Sequence, residues 1–195
     1  MDRIRPVIIL LLVFLTLAVF SQQPGTDKPR LNHYSVTIGI GWTHYINNMD
    51  YGDNNIHKDF AGVSCKFFWE PEHRLSLGLE TGYYELFSVS EPINNYVTLE
   101  TKRNVVPLLL LVRMRIVDHF HLSVGMGLAM ILNKTSGADQ KIVTKSWSLS
   151  DYELTGSYIY PVGKHLRLGA EVTMFNFGLL DDWMYSVQAL IAVRL

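Results

Sequence analysis

Phe120-His121-Leu122-Ser123-Val124-Gly125-Met126-Gly127-Leu128-Ala129-Met130 alternates without a break: every even-numbered residue is large and apolar, every odd-numbered one is histidine, serine, glycine or alanine. A period of two sends successive side chains to opposite faces, so this stretch reads as a strand and not a helix. The same alternation recurs at residues 34–42, 63–69, 75–83, 106–116, 152–160, 166–174 and 185–195, eight segments in all. Their apolar faces carry no charged residue. The opposite faces are small or polar and hold Lys66, Glu80, Arg113, Arg115, Asp151, Glu153, Arg167, Glu171 and Arg194.

A soluble eight-stranded barrel would turn the apolar face inward and show its glycines, serines and charges to water. Two features argue for the inverse. Gly39, Gly41, Gly125 and Gly127 share the charged face, where crowding inside a narrow tube favours small neighbours beside long side chains. Aromatic residues also gather at the ends of the apolar face: Tyr34, Trp69, Phe120 and Tyr160 at one end, Trp42, Tyr83, Trp183 and Tyr185 at the other. Two aromatic girdles around an uncharged band are the transmembrane β-barrel arrangement. The expected fold is all-β, an eight-stranded antiparallel transmembrane up-and-down β-barrel.

Composition agrees. Charged residues make up 18% of the 195-residue chain, against roughly 25% in soluble domains, so something other than water faces part of the surface. A net charge of -1 gives no field to hold nucleic acid. The single cysteine, Cys65, excludes an intrachain disulfide and a cysteine zinc site. At the N-terminus, basic Arg3 and Arg5, an apolar run over residues 7–20 and Ser21 read as a signal peptide, 1–21, too short to span as a helix. A periplasmic lead-in, 22–33, and the barrel, 34–195, follow. Connections alternate in length: residues 70–74, 117–119 and 161–165 are short, whereas 46–59, 88–103, 132–150 and 176–182 are long and polar. Outer-membrane barrels pair short periplasmic turns with longer external loops, so these four are expected to lie outside and be available to an extracellular ligand, with 47–55 and 138–145 surface-exposed and irregular.

The chain resembles the small eight-stranded outer-membrane barrels of the OmpA and OmpX type. It is also similar to the outer-membrane β-barrel domain of Bacteroidetes that includes PorT-like proteins, on Phe20-Ser21-Gln22 and on Val105-Val106-Pro107-Leu108-Leu109-Leu110. The resemblance covers the whole mature chain and implies a bacterial outer-membrane location, with lipid and the barrel-assembly machinery as partners. The chain departs from it by ending Val193-Arg194-Leu195, where many barrels end in an aromatic residue.

A charge inside a narrow barrel must be paired or wet. Lys66, Glu80, Arg113, Arg115, Glu153, Arg167, Glu171 and Arg194 are therefore expected to form an ion-pair network filling the lumen, with Glu80 paired to Arg113 or another low basic residue. The role expected is structural or surface-binding, with no cofactor and no metal. His33, His73, His119, His121 and His165 lie near the periplasmic ends of strands and read as turn and interface residues, since His119-x-His121 is their sole metal-like spacing. The alternatives are a secretion or assembly accessory of PorT type and a lipid-modifying enzyme at the outer rim, for which His44, Ser88 and Asp181 or Asp182 are the available residues.

Overall fold

The computed structural model describes residues 33–46, 56–71, 74–94, 97–137, 141–178 and 182–195. The expected signal peptide lies outside them, as does the lead-in except His33, which opens the first strand. The strands are β1 (His33–Ile46), β2 (Ile56–His57), β3 (Asp59–Glu70), β4 (Leu75–Asn94), β5 (Val97–Val117), β6 (Phe120–Ser136), β7 (Lys141–Pro161), β8 (Leu166–Phe177) and β9 (Asp182–Arg194). All pairings are antiparallel, and β1 bonds to both β3 and β9, closing the sheet. The two-residue β2 continues β3 beyond Lys58, pairing Ile56 with Val89 and His57 with Ser88 of β4. Eight long strands thus make one closed barrel.

The registers fix its dimensions. Tyr34 pairs with Trp69, Trp69 with Leu77, Leu77 with Val112 and Val112 with Val124. The circuit continues through Leu154, Met174 and Tyr185 to His44, ten residues above its start on β1. A climb of ten residues at about 3.3 Å, over eight spacings of about 4.8 Å, tilts the strands by about 41° and sets a backbone radius of about 8 Å. Such a bore is filled by side chains. Close coiling also explains inward glycines: a Cβ on Gly41 would fall 2.0 Å from the Val187 carbonyl oxygen, and one on Gly127 2.2 Å from that of Leu108.

The barrel is inside-out relative to a soluble protein. Ile40, Leu110 and Ile191 are more than half exposed, while Lys66, Glu80, Glu153 and Glu171 are buried. By the same geometry, Trp42, Tyr83 and Tyr185 stand about 20 Å above Tyr34, Trp69, Phe120 and Tyr160, with Trp183 about 5 Å higher. All eight rings point outward. The span matches an apolar band of about 25 Å.

Two expectations are corrected. Residues 88–103 and 132–150, expected to be long connections with 138–145 irregular, are largely strand among the described residues. β4 and β5 stay paired up to Asn94 and Val97, β6 and β7 up to Ser136 and Lys141, and Glu100 of β5 still pairs with Ser136 of β6. These hairpin ends form a four-stranded blade reaching roughly 20 Å past the upper girdle. Outside the membrane both sheet faces are wet, so strict alternation lapses while strand-forming residues such as Val97, Thr98, Ile142 and Val143 remain. The expected loop 176–182 is also shorter, because β8 reaches Phe177 and β9 begins at Asp182. Most of 46–59 lies outside the described residues.

The second correction concerns the lumen, whose ion-pair clusters among the described residues lie in its lower and middle parts, with the buried Asp151 and Asp182 higher up. Above, it is packed with Tyr45, Tyr84, Leu86, Leu109, Phe175 and Phe177, all buried.

Candidate functional site

From the lower mouth upward the lumen has three layers. In the lowest, Glu70, the last residue of β3, receives Arg113 Nη2 at 2.5 Å, Arg167 Nη1 at 3.5 Å and the Ser35 hydroxyl at 2.7 Å. The Arg113 guanidinium also lies 3.7 Å from the Phe68 ring centroid, a cation–π contact. This layer borders a cavity of about 400 Å³ that Arg115 and Arg194 line as well.

The middle layer centres on Lys66. Its ammonium lies 3.0 Å from Glu171, 3.1 Å from Glu80 and 3.5 Å from Glu153. Glu80 is the cross-strand partner of Lys66, whereas Glu153 and Glu171 come from β7 and β8. One long side chain thus bridges the bore, as the radius of about 8 Å allows. The Tyr84 hydroxyl donates to Glu80 at 3.2 Å, and that of Thr155 donates to Glu153. Above this cluster, the Ser64 hydroxyl donates to Gln188 at 2.6 Å, and the Tyr45 hydroxyl donates to Asp182.

Glu80 therefore pairs with Lys66 and not with Arg113. Arg113 sits opposite Ser76, nearer the mouth, and reaches down to Glu70. Sequence reasoning missed Glu70 by placing it in a turn. The signal was present, since Ser64, Lys66, Phe68 and Glu70 share one parity and β3 runs through all of them. Of the remaining expected network members, Arg115 and Arg194 line the cavity with no ion-pair partner among the described residues.

His33 and His121 line the same cavity. His119 lies 5.2 Å from the Tyr160 ring, and His165 Nδ1 is 3.0 Å from the Arg194 carbonyl oxygen; His73 lies outside the described residues. Among the described residues no group of three or more His, Cys, Asp or Glu is placed to hold a metal. The residues available for lipid chemistry do not form one constellation. His44 Nδ1 pairs with Asp59 at 2.9 Å, Asp182 takes the Tyr45 hydroxyl inside the barrel, and Ser88 is buried on β4. Asp181 lies outside the described residues.

The blade carries the other feature of note. Pairing of β7 with β8 begins only at Tyr152 and Asn176, so among the described residues no strand pairs with 141–147 of β7 on the side away from β6. Along this edge Ile142 and Val143 are 58% and 47% exposed, whereas Trp147 and Leu149, paired with Met130 and Leu128, stand level with the upper girdle on the lipid-facing side. The blade's base is fastened by Arg103, which donates to Asn133 at 2.7 Å and covers the Phe87 ring at 4.9 Å.

No protein-family model matches the chain, and no characterised protein matches it by sequence. Among solved structures it is similar to Ail, the attachment invasion locus protein of Yersinia pestis. The complex of Ail with the heparin analogue sucrose octasulfate superimposes with a TM-score of 0.52 at 14% identity, over 84% of this chain and 99% of that one. A second crystal structure of Ail gives 0.51 at 12% identity over the same shares. The likeness is one of fold, the closed eight-stranded antiparallel barrel.

Proposed function

We propose that the protein is an integral barrel of a bacterial outer membrane whose blade docks an extracellular polypeptide by strand addition. The observation that carries this reading is the edge of β7 above the girdle, where Ile142 and Val143 are exposed and no further strand is paired among the described residues. Proteins ordinarily blunt an exposed edge with charge, proline or a bulge. Here Lys145 and the bulge at Ser150 guard part of the edge, and the ordered stretch with Ile142 and Val143 between Lys141 and Lys145 suits β-augmentation, in which backbone pairing supplies affinity and alternate side chains supply selectivity. Lipid surrounds the band between the girdles, and the barrel-assembly machinery inserts the chain. Ail, which shares the fold, is seen with a heparin analogue, a precedent for a ligand on a barrel of this size. The lipid-modifying alternative lacks support because His44 and Asp182 have separate partners.

The test is peptide display against the protein in nanodiscs. Strand-forming peptides should be selected, and Ile142→Lys with Val143→Lys should abolish their binding while Glu80→Gln leaves it intact. Selected peptides indifferent to the edge substitutions would sink the docking role. In parallel, a tag at Gly137 should label on intact cells; labelling only after permeabilisation would reverse the orientation.

A further inference from the structure

Among the described residues, the lower vestibule, at the end opposite the blade, carries more positive charge than its own carboxylates neutralise. Five guanidinium groups line it: Arg74, Arg113, Arg115, Arg167 and Arg194. Among the described lining residues Glu70 is the one carboxylate, and Arg113, Arg167 and the Ser35 hydroxyl already occupy it. The next carboxylates up the lumen, Glu80, Glu153 and Glu171, are gathered on Lys66. Arg74, Arg115 and Arg194 have no ion-pair partner among the described residues.

The hydrogen-bonding account is also open. Arg113 is 4% exposed, yet its Nε finds no acceptor, and the buried Arg194 Nε and His121 Nδ1 are likewise without partners. Buried donors without acceptors are costly. Arg74 and Arg115 are exposed and Arg194 part-buried, so these like charges meet at the edge of solvent, where their repulsion is screened but not abolished. Residue choice adds a third point. The middle layer gathers three carboxylates on one lysine, whereas every lysine or arginine among the described lining residues of the vestibule is arginine, two of them on Glu70. A planar fork with several fixed donors matches a tetrahedral or planar oxyanion better than a point charge does.

We infer that the vestibule is a binding site for a phosphate group, free or carried on a lipid headgroup that reaches round the rim. Glu70 holds Arg113 and Arg167 in place, and the unpaired guanidiniums of Arg115 and Arg194 receive the anion beside them. A cavity of about 400 Å³ accommodates inorganic phosphate or pyrophosphate.

The experiment uses the folded barrel with nitrogen-labelled arginine in a neutral maltoside micelle, so it does not depend on cellular orientation. Titrated pyrophosphate should saturably shift the Nε signals of Arg113 and Arg194 and leave that of Arg103, in the blade, unmoved. Arg115→Gln and Arg194→Gln break no ion pair, so both variants should fold; each should weaken binding about tenfold, whereas Arg103→Gln should not. Saturation in micelles identifies a soluble phosphate. Saturation seen only in nanodiscs doped with phosphatidylglycerol identifies the headgroup. No saturable shift in either medium, or equal weakening by Arg103→Gln, overturns the site.

Discussion

Below Lys66 the bore is lined by Glu70, Arg113, Arg115 and Arg167 around open space; above Glu153 it is stoppered by Leu109, Phe175 and Phe177. The same strands build both halves: on β5, Leu109 and Leu111 stand on the same inward face as Arg113, and on β8 Phe175 stands on that of Glu171. The upper half is filled by dispersion and seals the tube. In the lower half, charge keeps the tube wet and leaves a concavity. Each half can therefore be perturbed without touching the other, and the cost of doing so should differ in kind.

The greatest loss should follow Lys66→Met, which strands three buried carboxylates. Breaking a buried charge cluster costs about 3–5 kcal/mol, and this one should fall at the upper end, read as the urea unfolding midpoint in micelles. A shift smaller than that of any plug substitution would mean the middle layer is already hydrated. In the plug, Phe175→Ala should cost about 3 kcal/mol, since truncating a buried phenylalanine leaves a cavity, and should raise single-channel conductance. Unchanged conductance at lowered stability would place the seal elsewhere, at Lys66 and its carboxylates. Arg115→Gln should move the midpoint least, within about 0.5 kcal/mol. A large loss there would show that the vestibule arginines support the fold.

Inward and outward parity was legible in all eight segments because two contrasting solvents, lipid and lumen, act on opposite faces of each strand. Where that contrast vanishes, legibility did too. The blade lost its alternation because both faces meet water, so residues such as Thr101 and Thr144 read as loop. The apolar plug was misread for a different reason. Leu109, Leu111 and Phe175 stood on the inward face in the sequence, but their neighbours Arg113 and Glu171 set the expectation of charge throughout. Glu70 and the Arg113 pairing needed coordinates, because which inward residues meet across a bore depends on the climb of the registers and not on order along the chain.

The seam between β1 and β9, where Ser35 meets Arg194 and Ile46 meets Trp183, has a consequence for assembly kinetics. It joins the first strand of the barrel to the last, the longest loop closure in the molecule and the slowest kind of contact to form. Until β9 emerges, β1 and β8 are left as raw edges with apolar flanks, so a nascent chain halted before Asp182 has nothing to zip against except a chaperone or another chain. β9 must be present before the cylinder can close, which makes the β1–β9 seam the last contact the barrel can form.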